Sequence, residues 1–130
     1  MAHFHPADHS KGDANTVGGY AAVHARPAAF EGSDGYSYSV EVCADATGDP
    51  AAPWGGYLLF LRWRRLGAQG VEGHLESDFL AYGATEAEAL AATGRLPLQE
   101  ARTRLEALVA ERRATSAPAR RWWDVMRDEE

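Results

Sequence analysis

The run Gly56-Tyr57-Leu58-Leu59-Phe60-Leu61-Arg62-Trp63-Arg64-Arg65 is the most apolar stretch of the chain, and it is apolar at both odd and even positions. Successive side chains of a strand point to opposite faces, so a strand with this pattern offers apolar groups on both. Such a strand belongs at the centre of a sheet and needs cover on two sides. The rest of the chain must supply what flanks it and what covers it.

Upstream, Tyr36-Ser37-Tyr38-Ser39-Val40-Glu41-Val42 alternates cleanly. Tyr36, Tyr38, Val40 and Val42 share one face, and Ser37, Ser39, Glu41 and Cys43 share the other, the pattern of a half-buried strand. Phe30–Gly35 supplies the turn before it. Residues 45–55, with Pro50, Pro53 and Gly48, form a long loop, a length at which loops are sometimes functional. Downstream, Leu66–Gly70 reads as a hairpin loop and 71–82 as the third strand. That loop sets a register with Arg64 opposite Glu72, Trp63 opposite Gly73, Leu61 opposite Leu75 and Tyr57 opposite Phe79. The expected core face is then Tyr57, Leu59, Leu61, Trp63, Val71, Leu75 and Phe79. Leu58, Phe60, Leu80 and Tyr82 fall on a second face with no assigned cover.

Helices follow. Thr85 with Glu88 three residues on makes a capping box, and Gly94 closes a short helix. Pro97 opens a second helix at its first turn. Leu98, Ala101, Leu105, Leu108 and Val109 form its apolar stripe, the natural cover for the core face. Thr115–Pro118 reads as a linker, and Arg120–Arg127 as a short third helix with Trp122, Trp123 and Met126 on one side. The expected fold is α+β, a three-stranded antiparallel sheet with two helices on one face in the order βββαα. The expected organisation is a flexible arm over 1–29, a domain over 30–114 and a C-terminal interaction segment over 115–130.

The formal net charge of -6 argues against a dedicated nucleic-acid binder, whose footprint is basic. Arg62, Arg64 and Arg65 with Trp63, and Arg120 and Arg121 with the Trp pair, have the chemistry of base stacking, but acidic neighbours offset both sets. The lone Cys43 excludes an intrachain disulfide and a cysteine-rich zinc site, and nothing beside it in sequence would activate its thiol. No apolar run approaches the ~20 residues of a membrane span, and no signal-peptide pattern stands at the N-terminus, so the expected location is cytoplasmic.

Gly83-x-Thr85-x-x-Glu88-Ala89-Leu90 after a strand hairpin resembles the strand-to-helix junction of HicB-type antitoxins and their small single-domain relatives. The resemblance covers residues 36–92. It implies a three-stranded antiparallel sheet packed on a helix, and a protein partner. The 45–55 connection is longer than that family's, Gly94 and Pro97 interrupt the helix, and no DNA-binding segment follows, so a repressor is not implied.

His74 with Glu72, Glu76 and Asp78 has the donor types of a metal site or a general base. A solvated strand face paired with Arg62 and Arg64 explains the same residues. His3, His5, His9 and His24 offer imidazoles for a transition metal, and a flexible tail with adventitious affinity is the simpler explanation of them. Neither set is assigned a metal, and no cofactor is expected. The C-terminal Trp pair either folds back on the second sheet face or anchors the chain in a partner. The expected function is a non-catalytic interaction or accessory subunit. It docks to another protein chain, or to itself, through Arg120, Arg121, Trp122, Trp123, Met126, Leu58, Phe60, Leu80 and Tyr82. An antitoxin-like regulatory module is the alternative, and a small metal-binding or hydrolytic enzyme using His74 is the third reading.

Overall fold

A computed structural model describes residues 6–63 and 71–129, with side chains up to Ala114. It is an α+β fold of two layers, an antiparallel sheet and three helices. The strands are β1 (Ala29–Glu31), β2 (Ser37–Ala46), β3 (Trp54–Trp63), β4 (Val71–Glu76) and β5 (Ala81–Gly83). The helices are α1 (Val17–His24), α2 (Glu86–Gly94) and α3 (Leu98–Glu129). The sheet order is β1-β2-β3-β4, with β5 pairing β3 beyond the end of β4. The apolar run is therefore the central strand, as its pattern requires.

Residues 6–29, expected to be a flexible arm, are built into the fold. Thr16 caps α1 by accepting from the Gly19 N–H at 3.0 Å, and Val17 and Val23 are buried. The Val17 N–H donates to Leu96 O at 2.9 Å and the Leu98 N–H donates to Asn15 O at 2.7 Å, tying the segment to the α2–α3 junction. His9 and His24 face each other with ring centroids 6.1 Å apart. His3 and His5 lie outside the described residues.

The register decides which face is core, and it reverses the expectation. Val40 stands opposite Phe60 and Val42 opposite Leu58, so the half-buried face of β2 continues onto the even residues of β3. On β4, Phe60 pairs with Leu75, Arg62 with Gly73 and Leu61 with His74, not Leu61 with Leu75 or Trp63 with Gly73. A register shift between Arg62 and Trp63, with Trp63 opposite Val71, moves the ladder by one residue. The expected Arg64–Glu72 pair and the 64–70 loop lie outside the described residues. The third strand is also broken. Past Glu76, the Ser77 hydroxyl takes the Leu58 N–H at 3.0 Å in place of a backbone carbonyl, and pairing resumes at β5.

The core is thus Tyr38, Val40, Leu58 and Phe60 beneath Ala101, Leu105 and Val109 of α3, with Val17 and Ala28 at its edge. The expected α3 stripe is the cover, laid on the other face of β3. α2 begins where the capping box sets it, with Thr85 Oγ1 accepting from the Glu88 N–H at 3.1 Å. It crosses the same face at Gly56, where a Cβ would stand 2.7 Å from Ala89 O. Only a residue without a side chain lets that helix approach so closely. Helix α3 then continues through residues 115–118, expected as a linker, to Glu129.

Candidate functional site

With all three helices on one face, the odd residues of β3 line the other. Tyr57, Leu59 and Leu61 are half-buried there, and Trp63 is 39% exposed. The Trp63 indole N–H donates to Ser39 Oγ at 3.0 Å, laying the ring across β2. Val71 (45% exposed) extends the apolar surface from Trp63 onto β4. At the opposite end Phe79 rests on Gly55, where a Cβ would meet the ring's Cγ at 2.6 Å. Phe79 stands 6.1 Å from Tyr57 and 5.9 Å from Tyr82, centroid to centroid, and Tyr82 is 53% exposed. The result is a continuous apolar band, about 27 Å long and about two strand spacings wide. Among the described residues no element packs over it.

The band has acidic margins. Glu41 and Asp45 of β2 lie on one side and Glu76 of β4 on the other, all exposed. Their field reaches the centre. Burial, then the neighbouring Cys43, Asp45 and Glu76, push the Tyr57 hydroxyl up to about 12. Burial also raises the Cys43 thiol, and Glu41, Asp45 and Glu76 add to the rise against a hydrogen bond from Tyr57. Cys43 is therefore held protonated, the opposite of an activated nucleophile.

Leu58 and Phe60 are fully buried under α3, so they form core and not a docking face. Leu80 is half-buried against the same core. Tyr82 alone of that group lies on the open face. The band itself was expected as core, and it is the exposed set that sequence reasoning missed. The available signal was the alternation of β2: if its apolar face is even-numbered, an even-numbered face of β3 lies beside it. Arg120, Arg121, Trp122, Trp123 and Met126 occupy the last turns of α3, and their side chains lie outside the described residues.

His74 and Glu76 approach to 3.5 Å with both side chains more than half exposed, a solvated pair. Among the described residues no group of three His, Cys, Asp or Glu side chains is placed to hold a metal ion. Arg62 lies on the covered side, its guanidinium 4.5 Å from the Tyr36 ring centroid and not paired with the carboxylates of β4. Among the described residues no helix is long and apolar enough to cross a membrane. Comparison with protein-family models, with curated proteins and with solved structures finds no match to this chain.

Proposed function

We propose that this chain is a non-catalytic interaction protein that docks another polypeptide along the open face of its sheet. The observation that carries this reading is the apolar band from Tyr82 and Phe79 to Trp63, on a face that none of the three helices covers. Large exposed apolar surfaces with polar margins mark protein contacts in soluble proteins. The band's width of about 10 Å matches one α-helix lying along β3. Tyr57 at the band's centre and Trp63 and Tyr82 at its ends belong to the residue types that dominate binding energy when water is excluded. The acidic rim selects a partner segment with basic flanks.

A photo-crosslinking residue at Tyr82, compared with one at Arg102 on the exposed side of α3, tests this in the cells that make the protein. The expected outcome is a polypeptide adduct from position 82, lost in Leu59→Asp, and none from position 102. Adducts from position 102 alone, or from 82 irrespective of Leu59→Asp, refute it.

A further inference from the structure

We infer that the segment seated on the open face is Arg120–Arg127 of a second copy of this chain. The inference rests on the reading of that face as a docking surface and names its occupant. Three observations converge on it.

The first is reach. Helix α3 packs across the covered face and makes its last described contact at Arg113, which donates to Ser33 O at 3.1 Å. The backbone stays helical to Glu129, so about 24 Å of helix extends past that contact. The helix leaves the covered face at the turn that holds Ser33. A neighbouring molecule's face is accessible to it.

The second is chemistry. Within Arg120–Arg127, Trp122, Trp123 and Met126 repeat at helical spacing, and Arg120, Arg121 and Arg127 outnumber the one carboxylate there, Asp124, ahead of the acidic Asp128–Glu130 end. The open face offers the complement: an apolar band one helix wide, with Glu41 and Asp45 on one margin and Glu76 on the other.

The third is what the same charges disfavour. Two copies meeting face to face would bring six carboxylates of these three types into one interface. Like charges at close quarters oppose that pairing. With three arginines against the single carboxylate of Asp124, the segment Arg120–Arg127 meets the same rim with the opposite sign. Such a contact is heterologous. Exchanged reciprocally it closes a dimer, and otherwise it propagates.

The test uses the full chain in analytical ultracentrifugation from micromolar to hundreds of micromolar. The face variants are Leu59→Asp and, at the more exposed end of the band, Tyr82→Asp. The tail variant is Trp122→Ala with Trp123→Ala, and circular dichroism confirms that each is folded. The unaltered chain is expected to self-associate, roughly tenfold more weakly at 0.5 M than at 0.05 M salt. Each variant alone is expected to be monomeric. Mixing a face variant with the tail variant restores a 1:1 complex, because one supplies the tail and the other the face.

A chain that stays monomeric throughout overturns the inference and leaves the docking reading standing. Association lost in the face variants but kept in the tail variant also overturns it, since the copies then meet by another route. Failure of the mixture to recover does the same. Association indifferent to both face variants overturns the inference and the docking reading together.

Discussion

Leu58 and Leu59 are neighbours on one strand with the same side chain, and they should differ sharply in what they contribute. Leu58 is fully buried under α3, and Leu59 stands half-buried on the open face. Truncating either to alanine removes three carbons, worth about 2.4 kcal/mol of transfer free energy if wholly buried. At Leu58 the hole left between β3 and α3 adds to this, for a total of about 3–5 kcal/mol. At Leu59 only about half the transfer term is at stake and no closed cavity forms, so about 1 kcal/mol is expected. Strand propensity and the unfolded chain are nearly the same for the two variants, so the difference of about 2–4 kcal/mol reports the face alone. Urea denaturation followed by far-UV circular dichroism measures it. With a slope of about 1.5 kcal/mol/M the two midpoints separate by about 2 M. Equal midpoints, or Leu59→Ala the weaker protein, would show that the odd residues of β3 are core and that the docking surface is misplaced.

Two further perturbations bear on the fold and on the face. Gly56→Ala drives a methyl group into the Thr93 hydroxyl and Ala89 O, and is expected to cost at least about 1–3 kcal/mol in the same denaturation assay; a neutral result would mean that α2 does not lie on Gly56. Tyr38 and Tyr57 both have hydroxyls raised from 10.0 to about 12, Tyr38 by burial and then by its 2.6 Å hydrogen bond to Asp34. Both hold the phenolic proton more tightly folded than unfolded. Their contribution to stability is full below pH 10 and is lost as pH rises through about 12. Ultraviolet titration should find two of the five tyrosines ionising near pH 12 in the folded protein, one of them missing in Tyr38→Phe.

Elements specified by local chemistry were legible in the sequence. The alternation of β2 matches its buried Tyr38 and Val40, Thr85 caps α2, and Ala101, Leu105 and Val109 are the covered stripe of α3. The face of β3 was not legible, because a strand apolar at every position carries no alternation to read. The choice then fell to the hairpin register, where a shift of one residue inverts every side chain. The shift at Arg62–Trp63 is that one residue. Arg62 reinforced the error. A charge on an even position suggests a wet face, whereas here the guanidinium stacks on Tyr36 beside the covered core. Helix α1 escaped for a different reason. At eight residues, with Gly18 and Gly19 inside it, it has too little length to show a period, and tertiary contacts hold it.

The pattern that obscured the face of β3 also argues for a second cover. Burial of Leu58 and Phe60 under α3 is enough to seat the strand in the sheet. Nothing in that packing asks for Leu59, Leu61 or Trp63 on the reverse side. β2 lies beside it in the same sheet and presents Ser37, Ser39 and Glu41 to the same open face. A demand of folding or of strand propensity would act on both strands alike. A segment lying lengthwise on β3 would act on β3 and on the neighbours it touches, Phe79 and Tyr82 at one end and Val71 at the other. It would leave the more distant positions of β2 polar and charged. The apolar groups follow the outline of one rod-shaped ligand, not that of the sheet, and the carboxylates of Glu41, Asp45 and Glu76 stand where such a rod's flanks would pass. An exposed band of this kind is an aggregation liability while it stands uncovered, and a helix docked along β3 would remove it.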